Sequence, residues 1–151
     1  MDSIGTHDAL LAAQGMHDHG ALLGDQEGPG NRGVDSRLIA EFIGAAVDLC
    51  MVCHDLQLSL LAEDPVSAAR TVEQACVAVN AVWGCLPESL VNEEVPGKTT
   101  LQFRRLAAAG CGGNNETMFA LARAMTSADR RAALTSAGEI LSVVLRDDLM
   151  P

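Results

Sequence analysis

The chain has 151 residues, a size that suits one domain around one core, and 48% of it is apolar although only 3% is aromatic. Ten basic residues against twenty acidic ones give a formal net charge of −10, and no basic run exceeds the pairs Arg104–Arg105 and Arg130–Arg131. This balance argues against nucleic acid and against an anionic membrane surface, both of which call for concentrated positive charge; no stretch reaches the ~20 apolar residues that span a bilayer.

The opening Met1-Asp2-Ser3-Ile4-Gly5 lacks the basic region and apolar run of a signal peptide. The expected location is therefore cytoplasmic, where five cysteines read as thiols or ligands before they read as disulfides.

Residues 1–33 read as a flexible N-terminal arm, rich in glycine and acidic residues and broken at Gly28-Pro29-Gly30. Asp8 to Ala13 suits a short helix, and Met16-His17-Asp18-His19 reads as solvated chain rather than a metal site. Residues 34–151 read as a single all-α domain, a compact antiparallel bundle of four to five helices. The first long helix is expected from Asp35 or Ser36 to near Glu63. Asp64-Pro65 is a cap followed by proline at the first helical position, and it opens a second helix that Gly84 and Pro87 end near Trp83. A Pro-, Glu- and Gly-rich connection covers 84–98. A third helix is expected from Thr99 to Ala109, stopping at Gly110, with a turn at Cys111-Gly112-Gly113. Asn114 or Asn115 caps a fourth helix that ends near Met125. Thr126 with Asp129 makes a capping box for a fifth.

The chemistry of interest lies in Cys50-Met51-Val52-Cys53-His54. On an uninterrupted helix Cys50, Cys53 and His54 fall together, beside an inner face of Ile39, Ile43, Ala46, Gln57 and Leu61. The second helix has an inner face of Ala69, Val72, Cys76, Val79 and Trp83. If residues 62–64 turn an antiparallel hairpin, a rise of about 1.5 Å per residue sets Cys50, Cys53 and Cys76 at similar height. Three thiols and an imidazole then converge, with Cys85 and Cys111 available from turns. Such a set suits a zinc or copper ion or an iron–sulfur cluster. The preferred reading is thus a metal- or cluster-binding protein in a sensing, metal-handling or accessory role, non-enzymatic rather than enzymatic.

Other readings compete with it. Cysteine packs as a small hydrophobe, so the chain also reads as an interaction or assembly subunit with core cysteines. CxxCH is the attachment motif of covalent haem, with Met118 or Met125 as a conceivable axial ligand, but no export signal accompanies it. Reversible thiol chemistry would use Cys50 or Cys53 as attacker and His54 as base. Cys111, read as preceding a helix, is the better reactive thiol on helix-start grounds. Pro96-Gly97-Lys98-Thr99-Thr100 has the look of a phosphate loop without its first glycine or its strand, and reads as a threonine-capped helix start. Leu134, Ala137, Leu141, Val144 and Leu145 make a stripe on the last helix that closes the bundle or serves a homodimer or another protein partner.

Overall fold

The computed structural model describes residues 35–111 and 115–149. The expectations placed on residues 1–33, on the Gly112–Gly113 turn and on Asn114 lie outside them. The architecture is all-α: α1 (Ser36–Asp48), α2 (Met51–Ala62), α3 (Pro65–Trp83), a 3-10 turn (Glu88–Leu90), α4 (Leu101–Cys111), α5 (Asn115–Ala124) and α6 (Ser127–Leu149). The long α6 is the central rod and packs against α1, α2, α3 and α4. Its inward residues Ala133, Leu134, Ala137, Leu141 and Val144 are buried, with Leu145 partly so, as the stripe implied.

Side-chain caps start most of the helices where the sequence placed them. Asp35 accepts from Leu38 N at 3.0 Å, and Asp64 accepts from Ser67 N at 3.4 Å ahead of Pro65. Thr100 Oγ1 accepts from Phe103 N at 3.3 Å, which makes the Gly-Lys-Thr-Thr stretch a capped helix start. Thr126 Oγ1 accepts from Asp129 N at 3.1 Å. Each such bond satisfies an amide that the first turn leaves without a partner. Gly84, in the left-handed region at φ 80°, ends α3.

The first long helix departs from expectation. It breaks after Asp48: Leu49 adopts φ 58°, the amide of Leu49 donates to Ala46 O at 3.3 Å, and that of Cys50 donates to Ala45 O at 3.0 Å. These are the two bonds of a Schellman turn, built here without glycine. Cys50 becomes the N-cap residue of α2. A wheel drawn straight through 36–63 therefore loses its register at this point. Two further corrections follow. Trp83, expected inside, is 58% exposed. The helix expected to stop at Gly110 runs through it, so Cys111 is the last residue of α4 and does not precede a helix directly; the helix-start argument for its reactivity loses its premise.

Two buried arginines bind backbone carbonyls at helix ends and in the connection. Arg130 is 8% exposed. Its Nε donates to Ala62 O at 2.7 Å and its Nη1 to Ala122 O at 3.0 Å and to Met125 O, so one guanidinium closes the carboxyl ends of both α2 and α5. Arg104, 2% exposed, folds the 88–99 connection around itself. It donates to Asn92 O at 2.9 Å, to Val95 O and to Thr99 Oγ1 at 2.9 Å. A Cβ at Gly97 would stand 2.7 Å from its Nη2, so this position is kept open for the guanidinium.

Candidate functional site

The polar groups of the Cys50–His54 stretch are distributed by the turn at Leu49. Cys53 is 3% exposed and faces the core. Four residues later Gln57 is fully buried; with its amide nitrogen facing the neighbouring carbonyls it donates to Cys53 O at 3.1 Å and to Glu41 O at 3.0 Å. Gln57 thus bonds α2 to α1. His54 stacks on Phe42 with ring centroids 4.8 Å apart and planes at 29°. The ring lies over Gly138 of α6: a Cβ there would stand 2.6 Å from His54 Nε2 and 3.1 Å from Phe42 Cζ. A glycine in a helix interior costs about 1 kcal/mol against alanine, and the passage of these two rings accounts for it.

His54 Nδ1 is buried with no hydrogen-bond partner; the Asp55 carboxylate stands 3.9 Å away, beyond bonding reach. Burial pulls the His54 pKa below its ordinary 6.5, with Asp55 and Glu139 opposing the shift. The ring is therefore neutral at pH 7. Its edge lines a cleft of about 400 Å³ with Leu49, Met51, Lys98, Gly138, Glu139, Ser142 and Val143. A second cleft of about 320 Å³ shares Lys98, Glu139 and Val143 with it and runs on to Val79 and Trp83.

Cys76 belongs to another neighbourhood. It lines a cleft of about 170 Å³ between α3, α4 and α5, together with Glu73, Asn80, Gly110, Cys111 and Met118. Burial pushes its thiol up to about 12, with Cys111 and Glu73 adding to the effect. Cys50, half-buried, and the buried Cys53 line none of these three clefts, and Cys85 lies exposed in the connection after Gly84. The five cysteines form no disulfide. Among the described residues no group of three or more His, Cys, Asp or Glu side chains is arranged to hold a metal ion. Cys50, Cys53, His54 and Cys76, the set expected to converge, make no such group: Cys53 faces the core, His54 stacks on Phe42, and Cys76 lines a separate cleft. Cys76 instead shares its cleft with Cys111.

The feature that the sequence did not single out is the outer face of α2. Val52, Leu56 and Leu60 repeat every fourth residue and are 49%, 40% and 46% exposed, and Leu49 and Met51 extend the stripe at 52% and 61%. The opposite face buries Cys53, Gln57, Leu58, Leu61 and Ala62. A helix apolar on both sides is one that expects cover on both. Its signal was present in the spacing of Val52, Leu56 and Leu60 at every fourth residue, with Leu58 and Leu61 on the other side of the same helix.

No family model, curated protein or solved structure matches this chain. Among the described residues no helix is long and apolar enough to cross a membrane.

Proposed function

We propose that this chain is a non-enzymatic helical assembly module that works as a homodimer, with the outer face of α2 against its symmetry mate. The observation that carries this is the exposed stripe Leu49, Met51, Val52, Leu56 and Leu60 on a helix whose other side is already core. Five exposed side chains there amount to apolar area on the order of 400 Å², the size at which a patch marks an interaction surface. A two-fold contact needs a self-complementary face. An antiparallel α2–α2 pairing centred near Leu56 supplies one: Leu56 meets its copy and Val52 meets Leu60. Charge fits as well. Arg131 reaches α2 by donating to Ser59 Oγ at 2.6 Å, and in that pairing it flanks the exposed Asp55 of the second copy. The area places the contact among small, transient interfaces.

Sedimentation equilibrium of the full chain tests the reading. Concentration-dependent dimers are expected for the wild type and monomers for Leu56→Glu, while Val77→Glu, on the exposed side of α3, leaves the dimer unchanged. A wild type that stays monomeric well above micromolar concentration, or a Leu56→Glu chain that still dimerises, overturns it.

A further inference from the structure

We propose that Cys76, Cys111 and Met118 form a binding site for a soft monovalent cation, with copper(I) as the ion their chemistry selects. The proposal is independent of the α2 face. Three different helices supply the donors, two thiols and one thioether, and all three side chains line the same cleft of about 170 Å³. Thiolate and thioether sulfur favour copper(I) over harder divalent ions.

The local geometry favours sulfur at this place. Met118 is 1% exposed, yet its Cε would stand 2.7 Å and its Sδ 3.6 Å from a Cβ at Gly110. Gly110 therefore opens the space that lets the thioether lie beside the residue preceding Cys111. Exposure is graded through the set: Met118 forms the floor, Cys76 the half-buried wall and Cys111 the exposed lip through which an ion enters. The one carboxylate that lines the cleft, Glu73, is already paired with Arg70 at 2.7 Å. A zinc site would want four ligands drawn mainly from thiolate, imidazole and carboxylate, and the described residues hold no group of three of these.

Binding has a defined proton balance. Both sulfurs bind as thiolates, so thiol protons are displaced as the cation enters and the sulfur site carries a net charge of −1. Proton and cation compete for the same sulfur, so affinity rises with pH.

Anaerobic titration of the reduced full chain with copper(I), in competition with a chromophoric copper(I) chelator, tests the site. The wild type is expected to retain one equivalent. Cys111→Ser and Cys76→Ser are expected to lower affinity by about 100-fold or more and Met118→Leu, which conserves volume, by about 10-fold. Cys50→Ser and Cys85→Ser leave it unchanged. X-ray absorption should find three sulfur neighbours in the wild type and two in Met118→Leu. The exposed Cys111 keeps the test decisive if Cys76→Ser fails to fold. Wild-type affinity in Cys111→Ser, two sulfur neighbours in the wild type, or no retained copper overturns the proposal.

Discussion

On α2, Cys53 turns into the core and His54 stacks on Phe42 over Gly138; between α3, α4 and α5, Cys76 and Cys111 border an open cleft floored by Met118. Both regions are built from residues that can ligate, acid–base catalyse or simply pack. What separates them is backbone placement. The Schellman turn at Leu49 leaves Cys50 at the start of α2 with Cys53 buried after it, and α4 extends through Gly110 to Cys111, which lines the same cleft as Cys76. Residue type thus gives a repertoire, and the helix ends decide which member of it is used.

The comparison breaks most severely at the group common to both regions. Arg130 holds Ala62 O at the end of α2 and Ala122 O and Met125 O at the end of α5. Arg130→Met leaves these acceptors without their buried donor, at about 1–3 kcal/mol each, so urea denaturation should register a loss of about 3–5 kcal/mol. Hydrogen exchange should show faster opening at both helix ends together.

A substitution confined to the histidine region has a smaller effect. Gly138→Ala gains helix propensity of about 1 kcal/mol but drives a methyl group into His54 and Phe42, and overpacking of this kind costs about 1–3 kcal/mol. Net destabilisation of about 1–2 kcal/mol is expected. A double-mutant cycle with His54→Ala should recover a large part of it; strict additivity would show that the ring does not occupy this position.

The turn itself can be sharpened. Leu49 stands at φ 58°, where a side chain costs about 1–2 kcal/mol. Leu49→Gly relieves that strain and gives up only the packing of a side chain that is 52% exposed in the single chain, so at concentrations that keep the chain monomeric a rise in stability of about 1 kcal/mol is expected, offset in part by the flexibility of glycine in the unfolded chain. A fall in stability would mean that the chain does not turn here.

The smallest effect is that of pH. His54 has a folded pKa below its ordinary 6.5 because burial disfavours the imidazolium. The unfolded chain then binds the proton more readily than the folded one, so stability rises with pH in this window. The contribution is complete above the ordinary value, is lost as pH falls from 6.5 towards the folded value, and changes no further below it. The difference in stability between wild type and His54→Leu should follow that course.

Much of the frame was legible because it rests on local chemistry. Asp35, Asp64-Pro65, Thr100 and Thr126 are strong helix-start signals and their side chains bond as caps. Gly84 stops α3 for the conformational reason that makes glycine a reliable sign. The site was less legible. Nothing in Val47-Asp48-Leu49-Cys50 announces a helix end, since a non-glycine left-handed residue has no sequence signature, and one missed turn shifts every side chain after it. Arg104 and Arg130 were also hidden: an arginine binding backbone carbonyls looks in sequence like an arginine in solvent. The wheel puts Trp83 on the inner face of α3, but it is the last residue of that helix and is 58% exposed.

The most direct test of the account is a map of which thiols lie within reach of one another. Treating the reduced, native chain with a short bis-electrophilic thiol crosslinker and sequencing the linked peptides should join Cys76 to Cys111 and leave Cys53 unmodified. A dominant link from Cys50 or Cys53 to Cys76 would contradict the account and restore the uninterrupted first helix.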